Sequence, residues 1–599
     1  MKDRLVPVLA AAAIFIPMMF SHSCANTTQA PTGGPKDTIP PVIRQVTPAS
    51  GITGVPLKGF KIVLKFNEYC VIKNQQNILL SPPQIKPPVV KVKGKSIEIS
   101  FEEEFLPSTT YSLSFDQAIA DNNEGNLLPG FTYVFSTGDS IDSLYITGTV
   151  LDSKKMEPVK DATVLLYKDH SDSAVLKSKP FAAAKTDSWG YFSIAYIKDT
   201  SYRLYAIEDK NSNSIYDPDA ETIAFLDTVL TPRNRVVDSL PELTKYEAKD
   251  TALCLARKSE YNLVLFREKP VKQFVERAER TSEKNAYVKF FAPNVWIDSL
   301  WIAGYPANHI ITEFNSDRDS IAIWVNDRRP APDTLHLFVS YRKTDMKTGD
   351  LVPDLEHLPL VLLDKDGKPV KKKLHQKLEK QDTTCAMTVT AVPEKVEYKG
   401  IIFDFKKPIV EENFSKFSFV YRNAKQKEFP VKYYYVPDST NLLRYVLWPE
   451  TPFQQGVDYF LKIPQNAFRD MDGWYTDSLD VKFSLPNRDN ESSLVLSVKG
   501  TSGSRYYFEV LNDKMTELVR DFWIEEDADY EIFYLKAGKY RLRITEDSNR
   551  NGKVDTGSLM EHRQPEKVRF YQTEGNKDIP ISSNSEVTQD IDLTKIFAD

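Results

Sequence analysis

The sequence predicts an all-β protein built from tandem β-sandwich domains, and three observations predict it. Apolar and polar residues alternate over short stretches, as where Phe60, Ile62, Leu64 and Phe66 interleave with Lys61, Val63 and Lys65; period-2 alternation is the mark of a half-buried strand. Proline reaches 37 residues and glycine only 23 in a chain of 599, a balance that suits turns and strand edges better than helices. A polar string near residue 209 also recurs 338 positions later, and internal repetition constrains domain number more tightly than length does. Length alone allows about three to six domains.

Composition narrows the function classes. Lys and Arg number 77 against 83 Asp and Glu, a formal charge of -6, so the basic footprint that drives phosphate binding is missing and nucleic acid is excluded as a partner. Hydrophobic residues make up 41% of the chain, enough for packed cores and too many for a disordered protein.

The N-terminus sets the compartment. A short charged start, Met1-Lys2-Asp3-Arg4, precedes an apolar run from Leu5 to Phe20 and then Ser21-His22-Ser23-Cys24, the layout of a secretory signal peptide over residues 1–23. The run holds 16 residues including two prolines, whereas a spanning helix needs about 20 apolar residues. A small residue before a Cys at this place resembles the lipobox of bacterial lipoproteins, although Ser21 stands where an aliphatic residue is usual. That resemblance implies lipidation of Cys24 and anchoring in a membrane through the N-terminal lipid; plain secretion with a free Cys is the alternative. Residues 24–40 are small, polar and proline-rich, a tether. The segment from Cys24 through Gly33-Gly34-Pro35-Lys36-Asp37 to Pro40-Pro41 resembles the start of a family of Bacteroidota lipoproteins with bacterial Ig-like domains.

Residues 41–139 read as one sandwich. Pro107 to Tyr111, Ala118 to Asp121 with Glu124-Gly125-Asn126, and Phe135 to Gly138 resemble the closing half of the bacterial Ig-like domain of S-layer proteins, which implies that Asp121 and Glu124 build a turn rather than a catalytic pair. Residues 140–240 contain Ile146 to Val150, Ala162 to Leu166 and Thr186 to Phe192, resembling the small transthyretin-like domain. An Ig-like echo over 376–487 places Pro449, Tyr459, Asp470, Gly473 and Phe483 in the order of Pro107, Tyr111, Asp121, Gly125 and Phe135. Residues 488–599 repeat the transthyretin-like pattern, so a duplicated pair flanks a middle block at 241–375. That block has strand-like runs including Tyr261 to Phe266 and Ser320 to Trp324, and a polar stretch, Gln273 to Glu283, that suits one or two helical turns. The basic run at Lys371 to Lys373 reads as a solvated connector, with contact to anionic headgroups as the alternative.

The sharpest chemical candidate is the repeated D-x-N-x-N string. Calcium loops place oxygen ligands at alternate positions, with glycine sixth to permit the bend. Asp547, Asn549, Asn551, Gly552 and Asp555 fill positions one, three, five, six and nine, but Ser558 stands where the bidentate Glu belongs. The first copy offers Asp209, Asn211, Asn213 and Asp217, with Ser214 at the sixth position and Ala220 at the twelfth, Glu221 being one beyond. Both are candidate structural Ca2+ sites; the alternative is an Asx-rich turn in which these side chains bond their own backbone. Cys70, Cys254 and Cys385 are widely spaced and odd in number, which suits isolated core thiols rather than disulfides.

No nucleophile elbow, phosphate loop, dinucleotide fingerprint or zinc spacing occurs in the sequence. A pair of glycosidase carboxylates is compatible with 83 acids, and Trp189, Trp474 and Tyr475 suit either sugar stacking or the covering of a sandwich end. The expectation is a non-catalytic lipoprotein of the cell envelope, held at the outer membrane and assembling with a β-barrel complex there. A glycan-binding accessory lipoprotein and a hydrolase with an unrecognised site are the alternatives.

Overall fold

The computed structural model describes residues 37–128, 130–235, 259–363 and 384–598. The readings made on Cys24, Cys254 and Lys371 to Lys373 lie outside the described residues. The chain is a row of β-sandwiches, and among the described residues no helix is long and apolar enough to cross a membrane.

In the first sandwich one sheet orders Ile43–Thr47, Lys61–Phe66, Ser96–Ser100 and Val89–Lys93, and a second orders Leu79–Ser81, Thr110–Ser114 and Thr132–Ser136. Alternation puts Ile62, Leu64, Ile97 and Ile99 into the core with no exposed surface. Burying each of these side chains stabilises by about 1.5 to 3 kcal/mol. The Tyr111 hydroxyl accepts the Leu106 N–H at 2.9 Å while its ring stacks on Phe135 with centroids 5.3 Å apart, so one residue ties a loop to the core.

The same topology returns downstream. Met387–Thr390, Ile401–Phe405, Arg444–Pro449 and Tyr433–Pro437 form one sheet, and Ser418–Arg422, Asp458–Ile463 and Leu479–Ser484 form the other, extended at its edge by Glu428–Pro430. Tyr459 repeats Tyr111: its hydroxyl accepts the Gln454 N–H at 2.6 Å and its ring stacks on Phe483 at 5.2 Å.

The other repeated unit also keeps its wiring. Its first copy orders Ala182–Lys185, Thr163–Tyr167, Arg203–Ile207 and Ile223–Phe225; the second orders Leu518–Ile524, Arg505–Asn512, Gly538–Asp547 and Val568–Phe570. Facing these sheets, Leu144–Asp152 pairs Tyr191–Ile197 and Ser492–Lys499 pairs Ala528–Leu535. In each copy a last strand adds parallel to that first one, Tyr261–Leu265 beside Leu144–Asp152 and Glu586–Asp592 beside Ser492–Lys499. The run from Tyr261 therefore belongs to the preceding sandwich rather than to the middle block, with Leu263 and Leu265 buried in that core.

The middle sandwich packs Val275–Ser282, Asn285–Phe290, Ser320–Val325 and Ile310–Phe314 against Ile297–Ile302, Thr334–Thr344 and Leu351–Val361. The stretch from Gln273 is a strand, not helical turns. It lies at the sheet edge, where one face meets water and polar side chains are tolerated. Lys284 reaches from this sandwich to the partly buried Asp472 of the second Ig-like unit at 2.7 Å, and Lys407 of that unit meets the same carboxylate at 2.8 Å.

Candidate functional site

Both D-x-N-x-N strings form loops at the end of a strand, Arg203–Ile207 in the first copy and Gly538–Asp547 in the second, and the two loops share one backbone path. Asp209 accepts the N–H groups of Asn213 and Ser214 at 3.1 and 2.8 Å; Asp547 accepts those of Asn551 and Gly552 at 3.2 and 2.9 Å. Positions four and six are left-handed in each copy, Ser212 and Ser214 at φ 59° and 58°, Arg550 and Gly552 at φ 59° and 74°. Glycine takes that conformation without strain and serine does not, so the first loop carries a local cost that the second avoids. Asn211 and Asn549 accept from the same N–H groups at Asn213 and Asn551, each at 3.0 Å.

The polar side chains converge only in the second loop. The amides of Asn549 and Asn551 both reach Asp555 Oδ2, at 2.8 and 2.6 Å. These bonds hold the Asp555 carboxyl below its usual range although burial acts the other way. Asp217, its counterpart, caps the N–H of Asp219 at 3.2 Å.

Each loop rests on a glutamate: Glu221, one place beyond position twelve, and Glu566, which the spacing from position one did not reveal. Glu221 is fully buried, with Oε1 accepting the Lys210 N–H and Oε2 the Asp217 N–H, both at 3.0 Å. Burial raises its pKa, and the two N–H donors act against the rise. Glu566 takes the matching place with Oε2 on the Asp555 N–H at 3.0 Å, but Oε1 is buried without a hydrogen bond. The Ser548 N–H, in the place of Lys210, lies near the carboxylate and acts against the rise in its pKa. Burial, with Asp547 and Asp555 close by, pushes Glu566 up to about 7. The sequence signal was a repeated E-x-(I/V)-x-F string, Glu221 to Phe225 and Glu566 to Phe570. Among the described residues no three His, Cys, Asp or Glu side chains stand close enough together to hold a metal by themselves, so any ion here would need the amide oxygens too.

The two copies differ by an insertion. Glu221 follows Asp217 by four positions, whereas Glu566 follows Asp555 by eleven, and the extra residues dock onto the first copy. Leu559 is 2% exposed, in a core cluster with Tyr216, Phe225 and Phe266. Its N–H donates to Glu268 Oε1 at 2.6 Å, and Glu268 Oε2 accepts the Tyr216 hydroxyl at 2.8 Å. Thr556 donates to the Arg267 carbonyl at 2.7 Å, His562 meets Asp172 at 2.9 Å and Gln564 reaches the Phe225 carbonyl at 3.1 Å. A Cβ on Gly557 would stand 2.5 Å from the Phe266 ring, so glycine is required for the approach. The fold thus closes on itself, the last sandwich clasping the second.

Asp121 is 1% exposed, and its carboxylate accepts the N–H groups of Asn123, Glu124, Gly125 and Asn126 at 2.6 to 3.0 Å. Burial would raise its pKa, and the four donors outweigh that and hold it below the usual range. Asp470 repeats the role, accepting from Asp472 and Trp474, both at 3.0 Å. Both aspartates build turns. Beside them Cys70 and Cys385 are buried free thiols, each pushed up to about 12 by burial and by nearby carboxylates, Glu68 and Asp121 for Cys70 and Asp470 for Cys385. A cavity lined by Cys385, Lys407 and Asp470 has about 10 Å³, room for one water at most. Trp189, Trp474 and Tyr475 are exposed, and none is stacked on another ring among the described residues.

An aromatic face that the sequence reading did not single out lies on the middle sandwich. Register places Trp301, Phe338 and His357 side by side on the outer side of its three-stranded sheet. Trp301 and Phe338 stack at 5.1 Å, Phe338 and His357 at 4.5 Å, and Leu355 beside them is 54% exposed.

No curated protein matches the chain in sequence. Among solved structures it is similar to the major pilin subunit BcpA of Bacillus cereus, with 12% identity, 57% of this chain and 96% of that chain covered, and a TM-score of 0.18. The Bacillus anthracis TIE protein is similar over 95% of this chain and 76% of its own at 11% identity and a TM-score of 0.13. Domains 1–6 of the surface layer protein SbsC are similar over 91% and 67%, at 10% and 0.13. Residues 37–137 match the bacterial Ig-like domain family, and the stretch that carries the Tyr111 corner and the Asp121 turn is a bacterial Ig-like domain.

Proposed function

We propose that the protein is a non-catalytic structural and interaction module of the bacterial cell envelope, a lipoprotein of the Bacteroidota type anchored in the outer membrane through Cys24. In this reading its duplicated Ig-like and transthyretin-like units form a closed support for a docking face that meets an outer-membrane β-barrel complex. The observation that carries the reading is the outer face of the middle sandwich. Stacked Trp301, Phe338 and His357 beside exposed Leu355 suit a protein partner, since aromatic anchors dominate protein interfaces. Asp121, weighed with Glu124 in the sequence, supports it from the other side, because its carboxylate, like that of its counterpart Asp470, is occupied by turn backbone.

Two measurements test this. Metabolic labelling with an alkynyl fatty acid should tag the wild-type chain and not Cys24→Ser, and an untagged wild type removes the anchor. Gentle detergent extraction should then co-purify a stoichiometric β-barrel partner that is lost in Trp301→Ala with Leu355→Asp. A monomer retarded on polysaccharide gels contradicts the assignment and supports glycan binding.

A further inference from the structure

We propose that the outer face of the first sandwich is a second membrane contact, a basic sheet face that lies on anionic phospholipid headgroups. Lys61 and Lys65 on one strand and Lys91 and Lys93 on another are exposed, because the alternate positions turn Ile62, Leu64, Ile97 and Ile99 into the core. Register sets Ser96, Glu98 and Ser100 of the intervening strand between them, so four lysines share this face with one carboxylate. Glu98 meets Lys93 at 2.6 Å and Lys61 at 3.6 Å, whereas Lys65 and Lys91 have no ion-pair partner among the described residues. The acids of the loop that follows are engaged elsewhere, Glu102 by Lys86 at 2.9 Å and Glu104 by Lys58 at 3.0 Å.

Two independent observations support the contact. The first is the contrast between copies. In the second Ig-like unit, which has the same sheet order, the corresponding face presents Ile402, Val446, Val436, Trp448 and Tyr434, so the fold itself does not require the lysines. They gather here in a chain whose formal charge is -6. The second is position. The chain enters this same sheet through its edge strand, Ile43–Thr47, and Pro41 follows Cys24 by 17 residues, a reach of at most about 60 Å. A lipid on Cys24 therefore keeps this sandwich beside the bilayer, and that step alone rests on the anchoring proposed above. Ammonium groups spread over two strands suit a planar anionic surface better than one small anion, which needs donors that converge.

Cosedimentation with vesicles tests the contact on the mature chain from residue 25, which carries no lipid, so its outcome is separate from that of the Cys24 labelling. The chain should bind vesicles of phosphatidylglycerol and phosphatidylcholine in equal parts and not phosphatidylcholine alone. Binding should be lost in 1 M NaCl, where the screening length is about 3 Å. Each lysine at an anionic surface strengthens binding about fivefold, so Lys65→Glu with Lys91→Glu should weaken it at least about twentyfold. Lys425→Glu with Lys514→Glu, an equal change of net charge at exposed lysines of other units, should leave it unchanged. Circular dichroism checks folding, and Lys65→Gln with Lys91→Gln replaces the reversal if that variant is not folded. Failure to bind the anionic vesicles overturns the proposal, as does equal binding to phosphatidylcholine, binding that survives 1 M NaCl, or an equal loss in the Lys425 and Lys514 variant.

Discussion

Leu559 donates its backbone N–H to Glu268 Oε1 at 2.6 Å while its side chain is buried among Tyr216, Phe225 and Phe266. These residues come from the last and the second sandwich, 291 positions apart, and the contact converts a linear row into a closed one. Leu→Ala in a buried site costs about 2 to 5 kcal/mol. Leu559→Ala should therefore weaken docking without unfolding either sandwich. Limited proteolysis should show new cleavage between residues 556 and 564, with the far-ultraviolet spectrum unchanged.

Gly557 makes an independent check of the same contact. Any side chain there meets Phe266 at 2.5 Å, so Gly557→Val should open the clasp as fully as Leu559→Ala does. Equal protection of wild type and Gly557→Val from protease contradicts it.

Asp121 predicts an acid limb. Its pKa is lowered in the fold, so its contribution is present above the unfolded carboxylate pKa of about 3.9 and is lost as pH falls through the lower folded value. Asp121→Ala leaves four part-buried N–H groups without their acceptor, at a cost of about 1 to 3 kcal/mol near neutral pH. The difference between wild type and Asp121→Ala in urea unfolding should shrink as pH falls below about 4.

Cys70 and Cys385, held up at about 12, carry a thiolate fraction of about one in ten thousand at pH 8, and the thiolate is the nucleophile. Peptide-resolved mass spectrometry should find both unmodified after iodoacetamide at pH 8 and both alkylated in urea. Rapid alkylation of the native chain contradicts their burial.

Asp472 joins the second Ig-like unit to the middle sandwich through Lys284, with Lys407 of its own unit on the same carboxylate. Burial alone would raise its pKa, and the two ammonium groups override that and lower it. Asp472→Ala leaves two partly buried ammonium groups without their carboxylate, and breaking a buried ion pair costs about 3 to 5 kcal/mol. With Lys284 at 16% side-chain exposure, a cost near the low end is expected, read as a lower first transition in scanning calorimetry.

Alternation and the duplicated strings made the sandwich class and the Tyr111 to Asp121 turn legible, because strand period and turn chemistry are local. Three features were hidden for a common reason, dependence on distant partners. Tyr261–Leu265 reads as any apolar strand, and only its parallel pairing with Leu144–Asp152 assigns it to the earlier sandwich. The Trp301, Phe338 and His357 face depends on register across three strands. Glu566 was displaced by the insertion from the place that Glu221 holds relative to Asp217, although Glu566 to Phe570 echoes Glu221 to Phe225.

The closed arrangement is tested most directly by spin labels at positions 172 and 562, where Asp172 and His562 meet at 2.9 Å, introduced as Asp172→Cys and His562→Cys in a Cys254→Ser background. Pulsed electron resonance should give one short, narrow distance that broadens and lengthens when Leu559→Asp is added. A broad, long distribution without that substitution would contradict the clasp.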